Sequence, residues 1–215
     1  MGNYKESIAI IIPALDPDER MVSLVGQLHD DGFSNIILVD DGSLIANRKY
    51  FKTCKETCHC KIIRHVVNFG KGIALKSAFN YILEQRPDIK GAVTVDCDGQ
   101  HVLPDINTCA KLTYEHPDSL ILGCRQFDDK EIPLRSRFGN KLTRQMIRLL
   151  CGIHVSDTQT GLRGLPTPLI REHFANVKGE RFEYEMNMLI AAKEYQIPIE
   201  EFPICLLYTS PSPRD

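Results

Sequence analysis

Three predicted strands of this chain end in carboxylates: Asp16 follows the first, Asp40-Asp41 the second and Asp96-x-Asp98 the fourth. One acidic pair after a strand carries little meaning, because aspartate is a common turn residue. Three such ends on one edge of one sheet point to a shared site. Asp96 and Asp98 alternate as on an extended strand end, so a turn there can aim one or both at a divalent cation. Hard cations such as Mg2+ or Mn2+ take oxygen ligands of this kind and commonly share them with phosphates. Gln100 and His101 stand close enough in sequence to add a carbonyl or an imidazole. Asn68-Phe69-Gly70-Lys71-Gly72 gives a flexible, cationic turn at a helix start, which suits a diphosphate. Plainer readings stand beside these: Asp41 can simply cap the turn of Gly42 and Ser43, and Lys71 can be a solvated lysine.

Such carboxylates meet only if the strands that carry them run parallel, and the first half of the chain alternates strand and helix patterns accordingly. Ile8 to Ile12 is a continuous apolar run, as expected of a strand buried on both faces. Pro17 to Glu19 opens a helix, with Pro in its first turn and the acids at its positive end. Met21, Leu24, Val25 and Leu28 form its apolar face, and Gly32 ends it. Ile36 to Val39, Lys61 to Val66, Ala92 to Val95 and Leu120 to Leu122 are the next predicted strands. Leu75, Ala78, Phe79 and Ile82 stripe the helix after the third. This alternation predicts an α/β fold, a mostly parallel central sheet with helices on both faces and ligands beyond the carboxyl ends of its strands. Further on, Asn140 to Leu150 and Arg181 to Tyr195 are predicted helices, and Ile199 to Ile204 a last strand.

The 215 residues suffice for one substantial domain, and a net charge of -2 gives no support to binding nucleic acid by bulk attraction. No apolar run reaches the length of a membrane-spanning helix, and Met1 to Ser7 lacks the apolar core of a secretory signal, so a cytoplasmic location is expected. Cys54, Cys58, His59 and Cys60 cluster, but no second ligand pair follows at a usual zinc spacing, and they read as reduced surface thiols. Cys97, Cys109, Cys124 and Cys151 read as buried or half-buried. His65, His116 and His173 read as packing or surface residues. Cys205 to Asp215, CLLYTSPSPRD, breaks with what precedes it and resembles a translated sequencing-library adapter. The catalytic domain is accordingly expected over residues 1–204, with the protein continuing beyond Ile204 in its natural form.

Six ordered stretches together resemble the family 2 glycosyltransferases, in particular the branch of dolichol-phosphate mannosyltransferase and bacterial polyprenyl-phosphate glycosyltransferases. They are Ile11 to Glu19, Ile37 to Ser43, Asn68 to Phe79, Val95 to His101, Gly123 to Arg125 and Asp157 to Gly164, and the likeness runs from about Ile8 to Ile204. The resemblance implies a GT-A (Rossmann-like) nucleotide-sugar-binding fold and an inverting transfer from a nucleotide-diphosphate sugar to a polyprenyl phosphate. By position, it implies that Pro13, Ala14, Leu15 and Asp16 line the nucleotide pocket, with Glu19 assisting and Asp41 holding the base. It implies Lys71 on phosphate, Asp96, Asp98 and Gln100 on Mg2+ or Mn2+, and Asp157 and Gln159 near the sugar, where Leu162 and Arg163 shape the wall. Arg125 with Arg135 or Arg137 would hold the acceptor phosphate. Family members usually carry Asn-Glu where this chain has Asp16-Pro17. The resemblance also places the protein at the inner face of a membrane, reached through the missing C-terminal part.

Three functions compete on these residues: transfer to polyprenyl phosphate, transfer to a soluble sugar or cell-surface polymer, and non-catalytic sugar-nucleotide binding. A hydroxyl acceptor would need a general base, and Asp157 is the candidate. A phospho-accepting domain built on Asp40-Asp41 would leave Asp96-x-Asp98 and everything after Leu150 without a use.

Overall fold

The computed structural model of the chain describes residues 3–125 and 152–205. The predicted helix Asn140 to Leu150, the loop Gln126 to Pro133, Arg135, Arg137, Cys151 and residues 206–215 lie outside them.

Seven strands form one mixed sheet in the order β3-β2-β1-β4-β6-β5-β7. They are β1 (Ile8–Ala14), β2 (Ile36–Asp41), β3 (Lys61–His65), β4 (Gly91–Thr94), β5 (Leu120–Arg125), β6 (Arg163–Pro166) and β7 (Ile199–Ile204). Only β6 runs against its neighbours, antiparallel to both β4 and β5. The helices are α1 (Tyr4–Ser7), α2 (Glu19–Asp30), α3 (Arg48–Cys58), α4 (Lys71–Gln85), α5 (Leu103–Glu115), α6 (Thr167–Glu172) and α7 (Glu183–Glu194).

Alternation along the strands sorts the core into two layers. On one side Ala9, Ile11, Ile37 and Val39 pack on Leu75, Ala78 and Phe79 of α4 and Tyr184, Met188 and Leu189 of α7. On the other, Ile8, Ile10, Ile36 and Leu38 meet Met21 and Leu24 of α2, Phe51 of α3 and Ile106 of α5. The sheet is therefore covered on both faces, the condition under which β1 and β2 can be buried at every position.

One helix boundary and two cysteines differ from the sequence expectation for clear reasons. Asp18 caps α2, its carboxylate accepting from Arg20 N at 2.9 Å, so Pro17 precedes the helix rather than opening it. Cys54 and Cys60 are buried rather than on the surface. Burial pushes their thiols up to about 11 and about 12, away from the thiolate that zinc requires.

Candidate active site

The site begins with a proline. Along β1, Ile10 N donates to Asn35 O on the β2 side, while Ile11 O accepts from Val95 N on the β4 side. Pro13 stands two residues on from Ile11, so its missing N–H faces β4. The β1–β4 ladder has already ended at Ile11 and Thr94, whereas pairing with β2 continues to Ala14 and Asp40. The two strands part there, and the crevice lies where the strand order reverses. A cavity of about 510 Å3 occupies it. Pro13, Ala14 and Leu15 line one side, Asp96, Cys97 and Asp98 another, and Gln159, Arg181 and Phe182 also contribute.

Asp41 reaches this cavity beneath the turn that leads into α4. Its Oδ1 accepts from Phe69 N at 3.0 Å and lies 2.7 Å from His65 Nδ1, while Oδ2 accepts from Gly70 N at 2.7 Å. Two of the amides in the expected phosphate turn, Phe69 N and Gly70 N, are thus spent on Asp41, and Ile73 N is spent on Glu180 O. His65, which reads as ordinary in the sequence, orients the carboxylate and is itself 2.9 Å from Ser77 Oγ. Gly42 lets the two motif loops touch: at φ 81, its missing Cβ would overlap the backbone of Val67 and Asn68.

Lys71 is not a solvated lysine but a cavity residue paired with two carboxylates. Its Nζ donates to Asp96 Oδ1 at 2.7 Å and to Glu185 Oε1 at 2.9 Å. Burial alone would pull the ammonium down, but Asp96 and Glu185 more than offset it and hold it above its usual value. Burial likewise opposes ionisation of Asp96, yet Lys71 and His101 outweigh it and hold the carboxyl well below the carboxylate range. Asp96 is therefore a fixed anion.

Arg163, with no exposed surface, anchors the other side of this network. It donates to the carbonyl of Glu185, from Nε to Thr160 O at 3.0 Å and from Nη2 to Thr158 O at 3.4 Å. Thr94 Oγ1 also holds the loop, donating to Gly161 O at 2.8 Å. Gly161 presses its backbone against Asp96, so an added Cβ would overlap that carboxylate. Gly161→Ala is expected to lower kcat by about tenfold or more and to lower the thermal midpoint as well, because the clash displaces the carboxylate that Lys71 holds. An unchanged kcat in the folded variant would contradict this placement.

Asp98 differs from Asp96. Burial raises its carboxyl, the Asp96 charge adds to this, and the Gln100 amide and His101 oppose it. Its Oδ1 accepts from Gln100 N at 3.0 Å. Among the described residues no three His, Cys, Asp or Glu side chains form a ready metal cluster. The charges lining the cavity are nevertheless Asp41, Asp96, Asp98 and Glu185 against Lys71 and Arg181. A diphosphate would meet net negative charge there, so these hard oxygens fit a divalent cation arriving with it.

Other expected residues fall elsewhere. Asp16, in the left-handed region at φ 50, accepts from Leu44 N at 2.8 Å and Asn47 Nδ2 at 3.1 Å. It ties two loops together outside the cavity lining. Glu19 is an exposed first-turn residue of α2, and Gln100 contributes its backbone to Asp98 rather than a side chain to the lining. Asp157 is fully buried, with Arg125 Nε on Oδ2 at 2.6 Å, Nη2 on Oδ1 at 2.9 Å and Gln159 N on Oδ1 at 3.0 Å. A carboxylate closed by a guanidinium fork is a poor base, and the same fork engages the guanidinium meant for the acceptor. Pro13, Ala14, Leu15, Asp41, Lys71, Asp96, Asp98 and Gln159 do converge on the cavity. Arg181, Phe182 and Glu185 were not legible as site residues, because they open a predicted helix with no motif of its own.

The model of the family "Glycosyl transferase family 2" matches residues 10–174. The UDP-N-acetylglucosamine–dolichyl-phosphate N-acetylglucosaminyltransferase of Methanococcus voltae is 31% identical over 218 residues, covering 94% of this chain and 86% of that protein. The human dolichyl-phosphate β-glucosyltransferase is 24% identical over 221 residues, covering 93% and 67%. Glucosyl-3-phosphoglycerate synthase from Mycobacterium tuberculosis, solved with Mn2+, UDP and phosphoglyceric acid, superposes with a TM-score of 0.72 at 15% identity, covering 96% of this chain and 72% of that one. The sheet order and its switch-point crevice are those of a GT-A fold. The chain belongs to glycosyl transferase family 2 and is a glycosyltransferase.

Proposed function

We propose that this enzyme transfers a sugar, with inversion, from a nucleotide-diphosphate sugar to a polyprenyl phosphate of the dolichyl or undecaprenyl type, using Mg2+ or Mn2+. The observation that carries this reading is the acid-lined cavity at the switch point, where Asp41, Asp96 and Asp98 meet. Relatives named for dolichyl phosphate span nearly the whole chain and support the acceptor.

Each residue then has a task. A carboxylate offers about four acceptor positions, and protein donors take three on Asp41, leaving one for a base N–H. One position suits the single imide N–H of uracil better than the paired donors of guanine. Asp98, with Asp96, would hold the cation, and the Gln100 amide would orient Asp98; the cation when bound supplies charge neutralisation as the nucleotide leaves. Lys71 keeps Asp96 ionised and in place, and Gln159 and Arg181 face the sugar end of the cavity. The Asp157–Arg125 pair braces the wall rather than taking a proton. An acceptor phosphate is already anionic near neutral pH and needs no strong base, which favours it over a hydroxyl. No helix among the described residues is long and apolar enough to cross a membrane. The expected place of work is the cytoplasmic face of the membrane that holds the acceptor.

The test is a panel of labelled sugar nucleotides incubated with polyprenyl phosphate, with and without divalent metal, followed by organic extraction. UDP-sugars should give extractable label that chelator abolishes. Full activity in chelator, or label confined to soluble acceptors, would overturn the metal or the acceptor assignment respectively.

A further inference from the structure

Resting on that reading, we infer that the edge of the sheet formed by β3 and α3 is the surface that docks the enzyme on an anionic lipid bilayer. Residues 48–64 contain Arg48, Lys49, Lys52, Lys55, Lys61 and Arg64 against the single acid Glu56, in a chain whose net charge is -2. Five of these cations, with Phe51 and Ile62 as an apolar floor, line a hollow of about 510 Å3 separate from the active-site cavity. Lys52 is 75% exposed, and its 3.7 Å pair with Glu56 is a solvent-screened surface contact. Buried Asp40 draws two of the cations together, accepting from Arg64 Nε at 2.9 Å with Arg48 Nε 4.0 Å away.

An apolar rim adjoins this cluster. Leu44 is 66% exposed, Ile45 81% and Val66 88%. Leu44 and Ile45 leave the end of β2, and Val66 leaves the end of β3; these strands pair in parallel through Asp41 and His65. The two loops are in contact, since a Cβ on Gly42 would overlap Val67. Exposed aliphatic side chains of this size, side by side and flanked by lysine and arginine, mark an interaction surface. A bilayer pairs anionic headgroups with an apolar interior, and this surface pairs a cluster of cations with exposed aliphatic side chains. The rim also runs into Asn68, which lines the active-site cavity, so docking here sets the cavity mouth beside the layer holding a prenyl-chain acceptor.

The test measures co-sedimentation of the 215-residue chain with vesicles of phosphatidylcholine alone or with 30% phosphatidylglycerol. Binding should require phosphatidylglycerol and weaken with added salt. Lys49→Glu/Lys52→Glu/Lys55→Glu and, separately, Leu44→Ser/Ile45→Ser/Val66→Ser should each lower vesicle affinity by about tenfold or more, with thermal midpoints showing both variants folded. Failure of the unaltered chain to bind, equal binding to both vesicle types, or undiminished binding by both variants would overturn the docking surface. Transfer to a short-chain, water-dispersible prenyl phosphate without vesicles should stay unchanged in the variants. Absence of that transfer in the unaltered chain, with the vesicle results intact, would remove the acceptor assignment and leave the docking surface standing.

Discussion

Asp98→Asn is expected to lower turnover by about a thousandfold, a loss of roughly 4 kcal/mol of transition-state stabilisation, while the protein stays folded. The fold should tolerate the change because Asn keeps the shape of Asp and its Oδ1 can still accept from Gln100 N. Activity should not, because the amide removes an anionic oxygen from the acid-lined cavity proposed to hold the cation. The parallel change Asp96→Asn should behave differently. It also removes the negative charge facing the buried Lys71 ammonium, so it should cost stability in addition to activity. Kinetics and melting curves on the two variants separate these roles. Near-normal turnover of Asp98→Asn would refute the metal assignment.

Arg163→Met should destabilise the protein by about 3–5 kcal/mol, measured by denaturant unfolding. The guanidinium is wholly buried, and its removal takes a donor from the carbonyls of Thr158, Thr160 and Glu185 and leaves an apolar side chain against them. It also leaves the Glu185 carboxylate, 4.0 Å from Nε, with Lys71 as its ion-pair partner among the described residues. Burial pulls this guanidinium below its usual value, with Glu185, Asp157 and Asp96 opposing, so the charge is kept by its surroundings. Arg163→Lys should recover only part of the loss, since one ammonium cannot reach three carbonyls. A loss below about 1 kcal/mol would show that other contacts hold the 157–163 loop.

The elements built from unmistakable local signals were legible in the sequence. The isoleucine run of β1 and the Leu75, Ala78, Phe79, Ile82 stripe of α4 are both buried as expected. Others were not. Strand β6, Arg-Gly-Leu-Pro, has no strand pattern; it exists because β4 and β5 pair with both its edges, and Gly164 allows Thr113 to press against it. Helix α3 buries only Phe51 and Cys54, and α5 buries mostly small side chains, so neither shows a wide apolar stripe. Within the site, the carboxylates announced themselves by position after strands, whereas their partners did not. Glu185 meets Lys71 across 114 positions, and nothing local to either residue encodes that contact. Arg125 and Asp157 were each legible as polar motif residues; that they consume one another is visible only in three dimensions.

The most direct test of the central claim is the identity and anomeric configuration of the lipid product. The enzyme would be incubated with an α-linked UDP-sugar, polyprenyl phosphate and Mn2+, and the organic extract analysed by mass spectrometry and NMR. The inverting, metal-dependent transfer to an anionic acceptor proposed above predicts a polyprenyl-phosphate sugar in β linkage, formed only with metal present. An α-linked product, or donor consumption with the sugar recovered only in water-soluble form, would contradict it.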